Sequence, residues 1–341
     1  MVSTASPGTT FAEDLAQPES VGKVAESSGE PNMTQPFERD QIGPLAARVY
    51  RVTTEDQVEI AVTRLGSGRD SDQERGTGGP VILVHGTFCQ RSFWVSDKGL
   101  GLGPYLVERG YDVWIPEVRG HGRSLRDGRF RNWSAEDQMR FDLPAVQGLV
   151  ATQTGRAAHW VGHSWGGVAL LGSIGAGWLT SDAMRSAVVL GANITEGDAW
   201  LKQRLARAAA WTLLSLLGRV PAGLFRLGPE PESRAYMLDF FRWKGPRAQW
   251  RTADGRDYWD GIRRATVPLL DFAAANDTMD PVSGCRFLFD AVGSEDKEWV
   301  LLGTEEGFSK DYGHVEMIIS TEASLEVWPR IADWLDVHAG E

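Results

Sequence analysis

From Pro80 onward the chain alternates short apolar runs with segments of helical spacing, and this alternation limits the fold more than any other feature. PVILVHG (80–86), YDVWIPE (111–117), AAHWVGHS (157–164), SAVVLGAN (186–193), VPLLDFAAAN (267–276) and EWVLLGT (298–304) read as strands. They are short, continuous and rich in β-branched or aromatic residues. LGPYLVERG, SAEDQMRFDLPAVQGLVATQTG behind a Ser134 cap, GGVALLGSIGAGW, VSGCRFLFDAVG and SLEVWPRIADWL lie between or after them with helical periodicity. Strands alternating with helices imply βαβ units, hence an α/β protein whose parallel sheet is covered on both faces. Upstream, RVYRVTTEDQVEIAVTRL (48–65) reads as a hairpin turning near Thr54–Asp56.

Two stretches stand outside the alternation. Residues 1–45 are rich in Ser, Pro, Gly, Thr and Glu. Such a segment cannot bury enough surface to offset its ordering entropy, which predicts a disordered N-terminal tail. Residues 194–266 interrupt the strand series and contain an amphipathic helix, AWLKQRLARAAAWTLLSLLG. An insertion there lies over the carboxyl ends of the strands, where open α/β sheets bind ligands. The expected organisation is a core of 46–193 and 267–341 with 194–266 as a helical cap, or lid; an oligomer interface is the other use of such an insertion. A monomer or homodimer fits either reading.

Composition excludes several partners. The net charge of −11 is spread through the chain, with no clustered Lys and Arg to hold phosphates, so nucleic acid is not expected. Cys89 and Cys285 have no CxxC spacing, which argues against a disulfide or a structural metal site. The N-terminus lacks a basic, then apolar secretory pattern, and no apolar run is long enough to cross a bilayer. A cytoplasmic protein without cofactor or metal is the expectation.

The chemistry centres on Gly162-His163-Ser164-Trp165-Gly166, a G-x-S-x-G placed between a strand and a helix. That placement describes a nucleophile elbow, a strained turn that lifts a serine hydroxyl out of the sheet. Glycine is required where a Cβ would strike the neighbouring element. The Trp165 N–H, at the start of the helix, is one oxyanion donor. A serine needs a base and the base an orienting carboxylate. Of six histidines, His85, His121, His159, His163 and His338 lie in or beside early strands, in glycine loops or in the terminal tail. His314, in KDYGHVEMI after the last strand, is the candidate base. LLDFAAANDTMDP offers Asp271, Asp277 and Asp280: Asp271 is inside the strand, Asp277 at its carboxyl end, and Asp280 placed to cap the next helix. Asp277 is the chosen acid with Asp280 in reserve. The second oxyanion donor is the N–H of Thr87, in the loop after PVILVHG.

From about Val81 to Leu335 the chain resembles the α/β-hydrolase superfamily, through its HG loop, YDVWIPEVRGHGRS, GHSWGG, NDTMDP and GHVEM. GYDVW, FDLPA, HWVGHSWG, the ND…DP spacing and HVEMI are similar to the acid (gastric-type) lipases. The resemblance implies an eight-stranded, mostly parallel sheet with helices on both faces, a helical cap, and hydrolysis of carboxylic esters. It carries over Ser164 as nucleophile, Asp277 as acid, His314 as base, and Thr87 and Trp165 as oxyanion donors. Those lipases are secretory, and they usually carry a glutamine where this chain has Trp165. The indole favours a compact, bulky apolar ester or lactone over a long-chain triglyceride. Most cap aromatics fill the cap core; the residues expected at the substrate are Phe88, Trp165, Trp200, Trp211, Trp243 and Trp259. Opening of a macrolactone of the zearalenone kind, cofactor-free C–C hydrolysis or perhydrolysis, and a non-catalytic ligand sensor are the competing readings.

Overall fold

The computed structural model describes residues 35–66, 78–195, 212, 214, 216–225, 227–244 and 249–340. Nine strands form one sheet: β1 (Glu38–Ile42), β2 (Leu45–Thr53), β3 (Glu59–Leu65), β4 (Gly79–Val84), β5 (Tyr111–Glu117), β6 (Ala158–His163), β7 (Met184–Leu190), and, after a separate ribbon of β8 (Arg219–Val220) and β9 (Glu232–Ser233), β10 (Leu269–Ala274) and β11 (Lys297–Leu302). Their order is β1-β2-β3-β5-β4-β6-β7-β10-β11. β1, β2, β3 and β5 pair antiparallel, and β5 through β11 pair parallel.

Eight of these strands are those expected, and β1 is an addition. It lies inside the stretch 1–45 expected to be a tail, so that boundary is corrected: from Glu38 the chain is sheet, while 1–34 lie outside the described residues. The reason is local. Ile42 pairs with Leu45 across the two-residue turn Gly43-Pro44, and Gly43 has φ +57°. A Cβ at Gly43 would lie 2.4 Å from the Lys98 carbonyl oxygen. Glu38, Arg39 and Gln41 face solvent on this edge, so the strand's composition looks like that of a loop.

β4, β5 and β6 are buried along their whole length, as parallel central strands are. Successive side chains serve opposite cores. Trp114 and Trp160 pack on one face with Leu149 and Leu170, while Val113 and Val161 pack on the other with Phe272 and Ile331. The main helices are α1 (Leu102–Glu108), α2 (Leu143–Thr154), α3 (Trp165–Gly175), α4 (Arg234–Trp243), α5 (Tyr258–Ile262), α6 (Val282–Ala291) and α7 (Thr321–Val337); α4 and α5 belong to the insertion, and the others cover the faces of the sheet. Ahead of α2, Ser134 and Asp137 form a capping box: the hydroxyl accepts from the Asp137 N–H and the carboxylate from the Ser134 N–H.

Within the expected cap, 196–211, 213, 215, 226 and 245–248 lie outside the described residues, and with them Trp200 and Trp211. The described part holds β8, β9, α4 and α5. α5 packs directly on α3: a Cβ on Gly261 would fall 1.6 Å from the Gly175 carbonyl oxygen. α4 lies over the start of α3, its Tyr236 and Phe240 rings 5.4 and 5.9 Å from the Trp165 ring. Among the described residues no helix is long and apolar enough to cross a membrane.

Candidate active site

Ser164 joins β6 to α3 with φ 55° and ψ −124°, a conformation that non-glycine residues rarely adopt. The neighbouring glycines make this turn sterically possible. A Cβ at Gly162 would sit 2.7 Å from the Gly166 carbonyl oxygen, and one at Gly166 would sit 2.4 Å from the Val84 carbonyl oxygen. Both obstacles are backbone, which cannot swing aside. Gly166→Ala is therefore expected to lower stability by about 3 kcal/mol, read as a fall in the urea midpoint at unchanged slope. A midpoint equal to that of the parent would mean that the elbow is not under this constraint.

The loop after β4 approaches the serine through Gly86, where a Cβ would lie 3.0 Å from Ser164 Cβ. The Thr87 N–H and the Trp165 N–H thus belong to two backbone segments that meet at Ser164. Trp165 opens α3, so its N–H belongs to the first turn, which has no intrahelical acceptor.

His314 and Asp277 arrive from the loops after β11 and β10. The His314 Nδ1–H donates to Asp277 Oδ2 at 2.7 Å. Asp277 Oδ1 accepts from the Met279 and Asp280 N–H groups at 2.8 and 2.9 Å, which fixes the carboxylate in place. With Nδ1 protonated, Nε2 is left with its lone pair. Gly191, at φ +59°, makes room for the ring: a Cβ there would be 3.2 Å from His314 Nδ1. Ser164 and His314 line the same cavity. A hydrogen bond between them is not among those the described residues make, as is common before substrate binds.

Asp280 has a different role from the helix cap expected of it. α6 starts after Pro281 without a side-chain cap. The Asp280 carboxylate instead pairs with the Lys244 ammonium, which comes from the end of α4, and its second oxygen stands 3.9 Å from His314 Nε2.

His163, set aside in the sequence as a loop histidine, packs beneath the base. Its Nε2–H donates to the His314 carbonyl oxygen at 2.9 Å, and its ring lies 4.7 Å from the His314 ring and 4.6 Å from Phe93. Burial, with the adjacent His314, holds its pKa well below the ordinary histidine value, so it stays neutral.

The cavity has a volume of about 350 Å³. Its walls are largely apolar: Leu214, Met237, Phe240 and Phe241 from the cap meet Phe88 and Trp165 from the core. Leu217, Leu227, Met279 and Val315 line it and are exposed, forming its mouth. Of the expected pocket residues, Phe88 and Trp165 are there. Trp243 and Trp259 are not, and both expectations are corrected. Trp243 is 0% exposed and stacks flat behind Trp165 at 5.9 Å, so it supports the wall. Trp259 packs on Trp250 and Phe287, away from the cavity. Cys89 also lines the cavity, but burial, helped by the charge of Glu232, pushes its thiol up to about 12, so it is no rival nucleophile.

A model of the alpha/beta hydrolase family matches residues 81–330. Human lipase member N is 32% identical over 126 residues, 34% of this chain and 32% of that protein. Human lysosomal acid lipase/cholesteryl ester hydrolase and human gastric triacylglycerol lipase are each 31% identical over stretches of the same length and share. The chain thus spans about a third of the length of the curated relatives it matches. Among solved structures, the monoacylglycerol lipase of Paleococcus ferrophilus superposes with a TM-score of 0.57 at 18% identity, covering 82% of this chain and 99% of that one. A thermophilic esterase from Thermogutta terrifontis, with malate bound, gives 0.56 at 18% identity, covering 85% and 99%. DcsB in complex with its substrate analogue gives 0.63 at 14% identity, covering 86% and 99%. At these identities the structures speak for the fold.

Proposed function

The chain belongs to the alpha/beta hydrolase family, and we propose that it is a serine hydrolase that cleaves carboxylic esters of bulky hydrophobic acids or alcohols through an acyl-enzyme. The observation that carries this reading is the 2.7 Å bond from His314 to Asp277 in a cavity that also holds Ser164 on a strained elbow. The names of the lipase and cholesteryl ester hydrolase relatives support ester chemistry.

In this mechanism the Ser164 hydroxyl gives its proton to His314 Nε2 as its oxygen attacks the ester carbonyl. The Thr87 and Trp165 N–H groups take the negative charge of the tetrahedral intermediate, and Asp277 stabilises the imidazolium. His314 then protonates the departing alcohol. Water, deprotonated by the same nitrogen, releases the acid and returns the serine. The elbow strain fits this role, because such a strand-to-helix turn presents the serine hydroxyl clear of the sheet. The apolar cavity raises the worth of each charge interaction inside it.

The wall supports the substrate class. Trp165 closes one side of the cavity and is backed by Trp243 and Tyr236. A rigid aromatic wall suits a compact ring-containing acyl or alcohol group better than a flexible chain. Linear ester and lactone place the same atoms at Ser164, so one panel separates them. It contains aryl esters, long-chain glycerides, macrolactones of graded ring size and a vinylogous diketone. Fluorophosphonate should label the wild type and leave Ser164→Ala unlabelled, and a compact aryl ester or lactone should exceed the glyceride in kcat/KM. Labelling of neither protein would turn the reading into that of a ligand-binding cavity. Turnover of the diketone alone would make it a C–C hydrolase.

A further inference from the structure

The oxyanion loop is not held by the core alone. Phe88, next to Thr87, has φ +63°, a left-handed conformation that costs a bulky residue about 1 kcal/mol or more. Such a conformation persists only where its surroundings impose it, and here those surroundings come from the cap. The Phe88 N–H donates to Glu232 Oε1 at 3.0 Å. Its carbonyl oxygen accepts from the Glu230 N–H at 3.1 Å. Gly228 lies so close that a Cβ there would be 2.4 Å from that same oxygen. The Thr87 hydroxyl is joined to the Tyr236 hydroxyl of α4 at 2.6 Å.

Glu232 is itself locked. It is 2% exposed and shares a hydrogen bond with His121 at 3.2 Å. The other nitrogen of His121 faces the Arg119 carbonyl oxygen at 3.2 Å, so both ring nitrogens meet acceptors, the arrangement of an imidazolium. Burial opposes that charge, but Glu232 outweighs it and lifts the His121 pKa above its ordinary value. A charged pair taken out of water is costly unless each lone pair and proton is used. Here the remaining use of Glu232 Oε1 is the Phe88 amide.

We propose that Glu232 is a positioning residue for the reaction: it clasps the Phe88 N–H from the cap and so holds the Thr87 N–H on the oxyanion of Ser164. The cap is then a structural part of the oxyanion hole as well as the roof of the cavity. The assignment of Thr87 rests on the serine-hydrolase reading; the clasp itself does not.

Two readouts separate the clasp from that reading. The first is amide exchange at Phe88, which needs no substrate. The wild type should protect this amide by about 100-fold or more, and Glu232→Ala should lose that protection while central-strand amides of β6 keep theirs. Equal protection in both proteins would overturn the clasp. The second is ester kinetics. Glu232→Ala should lower kcat by about 100- to 1,000-fold, the worth of one oxyanion donor, with KM within about threefold. Glu232→Gln keeps an acceptor oxygen at the same reach, whereas Glu232→Asp keeps the charge and withdraws the oxygen by one methylene. Gln should therefore stay within about tenfold of wild type and exceed Asp. Asp exceeding Gln would show that only the ion pair with His121 matters, and kcat unchanged in all three variants would remove Glu232 from the reaction. A wild type without esterase activity or fluorophosphonate labelling would sink the hydrolase reading and leave the exchange result standing.

Discussion

Asp277→Asn is expected to lower kcat by about 10,000-fold, whereas Asp280→Asn should cost about tenfold or less. The two carboxylates are three residues apart and both near His314, so geometry has to decide between them. Asp277 Oδ2 accepts the Nδ1–H at 2.7 Å, and its other oxygen is held by two backbone amides. An asparagine in that place would turn either an amide NH2 towards Nδ1, reversing the tautomer and removing the lone pair from Nε2, or break the amide contacts. Asp280 reaches only to 3.9 Å of Nε2 and already answers to Lys244. Removing its charge takes nothing from the tautomer. Ser164→Ala sets the floor, at about a millionfold loss. Steady-state kcat on one aryl ester measures all three. A loss at Asp280 equal to or greater than that at Asp277 would transfer the acid role to Asp280 and recast the Lys244 pair as part of the catalytic apparatus.

Asp271, Asp277 and Asp280 show what the sequence made legible. The reading of LLDFAAANDTMDP places Asp271 inside the strand and Asp277 at its carboxyl end; in the structure Asp271 lies within β10 and Asp277 in the loop just after Ala274. The elbow was readable because Gly162 and Gly166 flank one serine between a strand and a helix, where a Cβ would strike backbone. Other features were hidden for physical reasons. Glu232 and Lys244 lie in the insertion, where no period links residue to neighbour, and they act across more than a hundred residues on Phe88 or from α4 on the loop after β10. No spacing rule reaches that far. Trp243 was indistinguishable from a pocket residue because composition cannot tell the lining of a cavity from the layer behind it. His163 was adjacent to the serine all along, but a buried histidine under a catalytic one looks in sequence like any loop residue beside glycine. β1 was missed because an edge strand with one polar face resembles a tail.

Asp271→Asn is expected to stabilise the protein at neutral pH, and the gain should vanish in acid. Asp271 sits in the middle of β10, opposite Val189 of β7 and Trp299 of β11. It is 0% exposed, and neither of its carboxylate oxygens has a hydrogen-bond partner among the described residues. Burial pushes its pKa well above the ordinary carboxylate value, against weaker opposition from Arg286 and Lys297. The folded protein therefore keeps a proton that the unfolded chain gives up above about pH 4. From there upward each pH unit costs the fold about 1.4 kcal/mol, until the pH passes the raised value. Asparagine has the same shape and the same unpartnered polarity as the neutral acid, but it has no proton to lose. The difference in stability between the Asp271→Asn variant and wild type should be near zero at pH 4 and should grow in the variant's favour towards pH 7, read from urea unfolding at both values and at one between. A difference independent of pH would mean that the carboxyl is ionised in the fold and finds compensation; a loss of stability at pH 7 would mean that its charge holds the strand in place. The rising difference, in contrast, would show that this chain tolerates a costly neutral acid at the centre of the strand whose end presents Asp277 to the base.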